Sequence, residues 1–159
     1  MAMRNQVTQF LDKQKILYQI HQLPAEKLSA EEAAEYLQVS PSIVYKTMVV
    51  IGRNSEKRYL AVLPGPKLLD LKVLARLLGE KKLIIPKMRE AEAITGLKAG
   101  GISPLALLHR NFSIIIDSSS LNYDEIIISG GQRGINIQLP VDHLISLTSA
   151  KVALISTDP

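Results

Sequence analysis

Three short segments carry residue types that can do chemistry together. Val44-Tyr45-Lys46-Thr47 sets a lysine where a helical turn passes into an apolar run. Gly100-Gly101-Ile102-Ser103-Pro104 places a glycine pair ahead of a helix-start signature, and Ser129-Gly130-Gly131 closes another apolar run at a turn. Glycines let backbone N–H groups approach a substrate closely, and the first turn of a helix leaves such donors unpaired. Donors aimed at a carbonyl oxygen stabilise the oxyanion formed when an acyl group is attacked, each by roughly 2 to 4 kcal/mol in the transition state. A lysine ammonium nearby neutralises a phosphate or that developing charge. Taken singly, each segment has an ordinary reading: a solvated lysine, a loop entering a helix, a hairpin corner. Taken together they are the parts of an acyl-transfer site.

The rest of the chain narrows the chemistry by what it lacks. There is no cysteine, which removes thiolate nucleophiles, disulfides and Cys-ligated zinc. His21, His109 and His143 lie far apart with no metal-ligand spacing, and each reads as a surface or hydrogen-bonded residue. No G-x-S-x-G elbow, phosphate-binding loop or dinucleotide fingerprint occurs. No metal or cofactor is expected. An enzyme built this way acts on a bond that is already activated.

These segments need a frame. Val7, Phe10 and Leu11 stand at helical spacing, and Leu17 to His21 reads as a strand. Ser29 followed by Glu32 is a capping box opening a helix with Ala33, Ala34 and Leu37 on one side, and Ser40-Pro41 starts a second short helix. Strands are expected over Met48–Ile51 and Tyr59–Leu63, joined by a turn at 53–56. Asp70 caps a helix that Gly79 ends, Leu83-Ile84-Ile85 reads as a short buried strand, and Lys87–Thr95 is a helix stopped by Gly96. Strands follow over Phe112–Asp117, Glu125–Ser129 and Ile135–Leu139, the last two joined through the glycine-rich 130–134. A final helix runs from Pro140 to Leu147, and Val152–Ile155 closes as a strand. Tight turns rather than regular βαβ crossovers join the elements. The expected fold is α+β: a mixed, largely antiparallel sheet curled towards a barrel, with helices outside, forming one domain over residues 1–159.

Composition agrees with a single globular domain. The 159 residues are 47% hydrophobic and 21% charged, while aromatics are only 4%, so the core must rest on aliphatic side chains. That scarcity argues against a platform of stacked aromatics for bases. The formal charge of +4 suits a polyanionic partner without requiring one. The first residues have no apolar signal-peptide region, and the apolar runs are too short to cross a bilayer, so a cytoplasmic protein is expected.

In order and spacing, the segments at 44–47 (VYKT), 95–105 (TGLKAGGISPL), 115–117 (IID) and 129–134 (SGGQRG) resemble the YbaK/EbsC family, related to the inserted editing domain of bacterial prolyl-tRNA synthetases. The resemblance implies a barrel-like sheet flanked by helices and hydrolysis of the ester between an amino acid and the terminal adenosine of tRNA. It implies that Lys46 is the essential lysine and that Gly100, Gly101, Ile102, Ser103 and Pro104 form the loop around the substrate carbonyl. Tyr45 and Thr47, flanking the lysine, would bind the substrate with it, and Ser129, Gly130, Gly131 and Asn136 would line the amino-acid pocket. The expected partner is the acceptor end of an aminoacyl-tRNA, cysteinyl- or alanyl-tRNA(Pro) first, with prolyl-tRNA synthetase as a further partner. The chain departs from the cysteine-specific pattern at Leu23, Leu97 and Asn136, where relatives carry an aromatic, a tyrosine and an acidic residue. A tRNA- or synthetase-binding module of the same fold, without turnover, is the alternative.

Overall fold

The structure, a computed structural model, describes residues 4–159. Helix α1 (Gln6–Lys13) opens at Asn5, whose side chain accepts from the Thr8 amide, and it buries Val7 and Leu11. Strand β1 (Gln19–Gln22) begins two residues later than the apolar pattern suggests, because Leu17 is left in solvent. Helix α2 (Ala30–Leu37) forms on the predicted capping box: the Ser29 hydroxyl accepts from the Glu32 amide at 3.1 Å, and the Glu32 carboxylate accepts from the Ser29 amide at 3.0 Å. A 3-10 turn at Pro41–Ile43 leads into β2 (Tyr45–Gly52). This strand starts three residues before the expected Met48, so Lys46 sits on the strand itself rather than ahead of it.

Strand β3 (Arg58–Pro64) returns antiparallel to β2, and the short β4 (Leu68–Leu69) precedes α3 (Leu71–Leu78), capped by Asp70 and ended by Gly79. Next come β5 (Leu83–Ile84), α4 (Met88–Thr95) and β6 (Phe112–Asp117). Of the apolar trio at 83–85 only Leu83 is buried; Ile84 and Ile85 are 40% and 43% exposed, since β5 is an edge strand. Strands β7 (Glu125–Ser129) and β8 (Ile135–Pro140), helix α5 (Val141–Thr148), β9 (Lys151–Ala153) and β10 (Ser156–Thr157) complete the chain.

The strands form a five-stranded sheet in the order β5-β2-β3-β6-β9, a three-stranded sheet β1-β8-β7, and the pair β10-β4. Most pairings are antiparallel, as expected, but β6 runs parallel to both β3 and β9, reached by long crossovers. The sheet does not close into a barrel. Where β2 approaches β7, the described residues form a single bridge, between Val44 and Ile127.

Alternation along the central strands explains the two-layered core. Val49, Leu60, Val62, Ile114 and Ile116 face Ile126, Ile128, Ile137 and Leu139 of the smaller sheet, with Val7 and Leu11 of α1 alongside. On the reverse face Val50, Ala61, Leu63 and Ile115 pack with Leu74 of α3. Central strands buried on both faces read as the continuous apolar runs that the sequence shows. A third cluster joins Ala33 and Ala34 of α2 to Val44 and Ile127, which pins α2 beside the start of β2.

Candidate active site

The cleft lies where the two larger sheets diverge past the Val44–Ile127 bridge. It encloses about 260 Å³, and its walls come from β2, the start of α2, the 99–102 loop, and the paired Ser129 and Asn136 of β7 and β8.

Lys46 is its centre of charge. Its Nζ donates to the carbonyls of Gly65 at 3.0 Å and Lys67 at 2.6 Å, in the turn after β3. That turn is wedged tightly: the Gly65 amide donates to the Val44 carbonyl at 2.9 Å, and a β-carbon on Gly65 would stand 2.8 Å from the Ala30 side chain. Among the described residues no carboxylate lies within ion-pair distance of Lys46. Burial pulls its pKa below the ordinary lysine range, while Glu31 on α2 pulls the other way. A cation held by neutral carbonyls keeps its field for an anionic ligand, and two acceptors leave one of its three N–H bonds free.

The neighbours of Lys46, Tyr45 and Thr47, also line the cleft. The Tyr45 side chain belongs to the main core, and its hydroxyl shares a 2.7 Å hydrogen bond with Ser119 Oγ, while burial pushes its pKa up to about 12. Ser119 Oγ in turn donates to Asp117 Oδ2 at 2.5 Å, and Asp117 Oδ1 accepts from the Ile155 and Ser156 amides. Asp117 is fully buried and fully bonded, so this carboxylate ties the end of β6 to the C-terminal segment and to β2. Thr47 Oγ1 is buried with no partner among the described residues, a cost of roughly 1 to 3 kcal/mol.

The glycine-rich loop divides its labour. Gly100 and Ile102 line the cleft, and among the described residues their amides make no intramolecular hydrogen bond. Gly101 does not line it: its amide donates to the Lys98 carbonyl at 2.8 Å, and a β-carbon there would sit 2.8 Å from Gln132 Cα. Gly101 is a spacer that lets the loop lie on the β7–β8 turn. Ser103 and Pro104 are buried behind it, the serine hydroxyl accepting from the Leu105 amide at 3.2 Å to cap a 3-10 turn only three residues long. Ser129 and Asn136 stand opposite each other in the ladder and line the cleft, whereas Gly130 and Gly131 line a separate depression with Asn5, Leu97 and Arg110. Leu97 and the two glycines therefore lie away from the cleft that holds Lys46, and Leu23 packs in the α2 cluster.

Sequence reasoning missed one wall. Glu26 and Leu28 line the cleft from the loop between β1 and α2. That loop rests on two glycines with positive φ: a β-carbon on Gly100 would lie 3.3 Å from Lys27 Cα, and one on Gly134 would lie 2.9 Å from the Leu23 carbonyl oxygen. The glycines were the available signal, since a positive φ beside a functional loop marks a close backbone approach. The histidines behave as read: His21 Nε2 is 2.8 Å from Gln138 Oε1, and His109 and His143 are exposed.

Residues 25–147 match the aminoacyl-tRNA editing domain family. A protein of Enterococcus faecalis provisionally named Cys-tRNA(Pro)/Cys-tRNA(Cys) deacylase EbsC is 38% identical over 130 residues, covering 82% of this chain and 78% of its own length. The crystal structure of a hypothetical protein superposes with a TM-score of 0.88 at 25% identity, over 96% of this chain and all of the other. Another, described provisionally as a trans-editing enzyme for prolyl tRNA synthetase, gives 0.79 at 23% identity over 98% and 99% of the two chains, a likeness of fold. With Lys46, the glycine loop and the β7–β8 turn assembled around one cleft, the chain belongs to the aminoacyl-tRNA editing domain family, in its YbaK/EbsC branch.

Proposed function

We propose that this protein is a free-standing editing deacylase that hydrolyses the ester joining an amino acid to the terminal adenosine of tRNA. The observation that carries the reading is Lys46, a partly buried ammonium held by two main-chain carbonyls at a cleft lined also by Gly100 and Ile102, whose amides make no intramolecular hydrogen bond among the described residues. The spare Lys46 N–H faces a phosphate or the developing oxyanion, and the two amides supply neutral donors for the carbonyl oxygen. No histidine or cysteine lines the cleft, so the attacking group is water or a group on the aminoacyl moiety itself.

Charge distribution supports a polyanionic substrate. Residues 67–89 hold seven Lys or Arg against two Asp or Glu, a net of +5 where the whole chain has +4, so the remainder sums to −1. Lys67 opens this stretch beside the cleft, where its carbonyl holds Lys46, while Lys81 and Lys82 lead into β5 at the opposite end of β2. A cleft of about 260 Å³ suits a small amino acid. We propose cysteine or alanine on tRNA(Pro) as the substrate, prolyl-tRNA synthetase as the partner that presents it, and the cytoplasm as the site of action.

The test is amino-acid release from cysteine, alanine, serine and proline on tRNA(Pro), with the cognate pairs as controls. Release of one mischarged amino acid, falling as salt rises, is expected. Retained salt-sensitive tRNA binding without release from any of them would replace the enzyme with a binding module.

A further inference from the structure

Lys46 and Glu26 are the two charged side chains in the lining of the cleft. An aminoacyl ester is itself charged at two ends, anionic at the nucleotide and cationic at the α-ammonium group. Lys46 accounts for the anionic end, and the polar groups deepest in the ladder, Ser129 and Asn136, are neutral. Among the described residues the Glu26 carboxylate makes no hydrogen bond and no ion pair. Its loop is nevertheless placed firmly. The Glu26 amide donates to the Pro24 carbonyl at 2.8 Å, the Leu23 amide donates to the Gly134 carbonyl at 2.8 Å, and a β-carbon on Gly134 would stand 3.2 Å from Ala25 Cα. The loop that bears Glu26 thus lies directly on the turn two residues before Asn136.

We infer that Glu26 receives the α-ammonium group of the bound amino acid and is the residue that makes the cleft selective for esters with a free amine. This rests on the deacylase reading. A carboxylate carried on the loop wall supplies, from a different strand connection, the negative charge that Asn136 does not supply from β8. Once the ligand fills the cleft it covers this carboxylate, and its pairing then strengthens beyond that of an open surface charge.

The experiment measures binding of an aminoacyl-adenosine with an amide in place of the ester, alongside its N-acetylated form, so that the readout is independent of turnover. Glu26→Gln keeps the shape and removes the charge at an exposed position, and its thermal unfolding is expected to match wild type. The expected result is about fivefold weaker binding of the free-amine analogue, at the upper end for exposed pairs, with no change for the N-acetylated one. Asn136→Asp in the Glu26→Gln background is expected to recover most of the loss by returning a carboxylate to the adjacent strand. Equal effects on both analogues, no effect on either, or no preference of wild type for the free amine would each overturn the assignment. The deacylase reading stands or falls separately, on release of amino acid from charged tRNA by wild type.

Discussion

The two walls of the cleft are built on different principles. The β2 wall, with Lys46, is a strand paired along its length with β3, its side chains packed in core clusters on both faces. The loop wall, made of 99–102, the β7–β8 turn and residues 23–28, has no ladder across its parts. It is held by single links: Arg133 Nε to the Ala99 carbonyl at 2.7 Å, the Ala99 amide to Glu92 Oε2 at 2.8 Å, and glycines on which neighbouring backbone rests. A strand can present a costly, partly buried cation because the sheet holds it regardless. A loop wall gains reach and free amides, and depends on a few contacts for its shape.

This contrast predicts opposite separations of activity from stability. Lys46→Ala removes chemistry from the wall that the sheet supports, so deacylation should fall by about 10²–10³-fold while the melting temperature hardly moves. A large drop in stability would make Lys46 structural and erase the distinction. Gly101→Val strikes the other wall without touching the cleft. Its side chain would start 2.8 Å from Gln132 Cα, where backbone must yield, and a loss of about 2 to 3 kcal/mol together with turnover is expected. Wild-type stability in that variant would show the loop to be pliant. Arg133→Ala cuts a single link. It should cost about 1 kcal/mol and lower kcat/KM several-fold, read by denaturant unfolding and steady-state kinetics on the same sample.

The same contrast decides what was legible in the sequence. The strand wall announced itself through apolar runs, and β6 and β7 begin and end where the pattern places them. The start of β2 was misplaced because Tyr45-Lys46-Thr47 lacks an apolar run, and only pairing with Leu63 and Pro64 across the ladder makes it a strand. Barrel closure was likewise not legible, since whether β2 and β7 pair beyond the single Val44–Ile127 bridge is decided by tertiary contacts and not by either strand's own pattern. On the loop wall the glycines were visible but not their tasks. Gly100 and Gly101 are adjacent and chemically identical, yet one faces the cleft and the other faces Gln132, which is set by the turn closed from Gly101 to Lys98. The capping box at Ser29 was readable as a helix start, but nothing local said that Glu26, three residues earlier, would line the same cleft as Asn136.

The smallest expected effect tests the claim that the sheet carries its cation at a cost. Burial lowers the Lys46 pKa in the folded state below its unfolded value of about 10.4. Between those two values the unfolded chain binds more protons than the folded one, so stability rises with pH across that window; below it the penalty is fully present and constant. Tyr18, Tyr45 and Tyr59, each raised to about 12 by burial first of all, act in the opposite sense, since stability falls as pH climbs past the ordinary tyrosine value. Wild type alone therefore mixes the two. Lys46→Met keeps the tyrosines and deletes the lysine, and the difference between the unfolding free energies of the two proteins isolates it. That difference should shift in favour of wild type as pH rises towards 10. A flat difference would mean that the two carbonyls of Gly65 and Lys67 offset the burial completely, and that the strand wall holds its charge no less comfortably than solvent would.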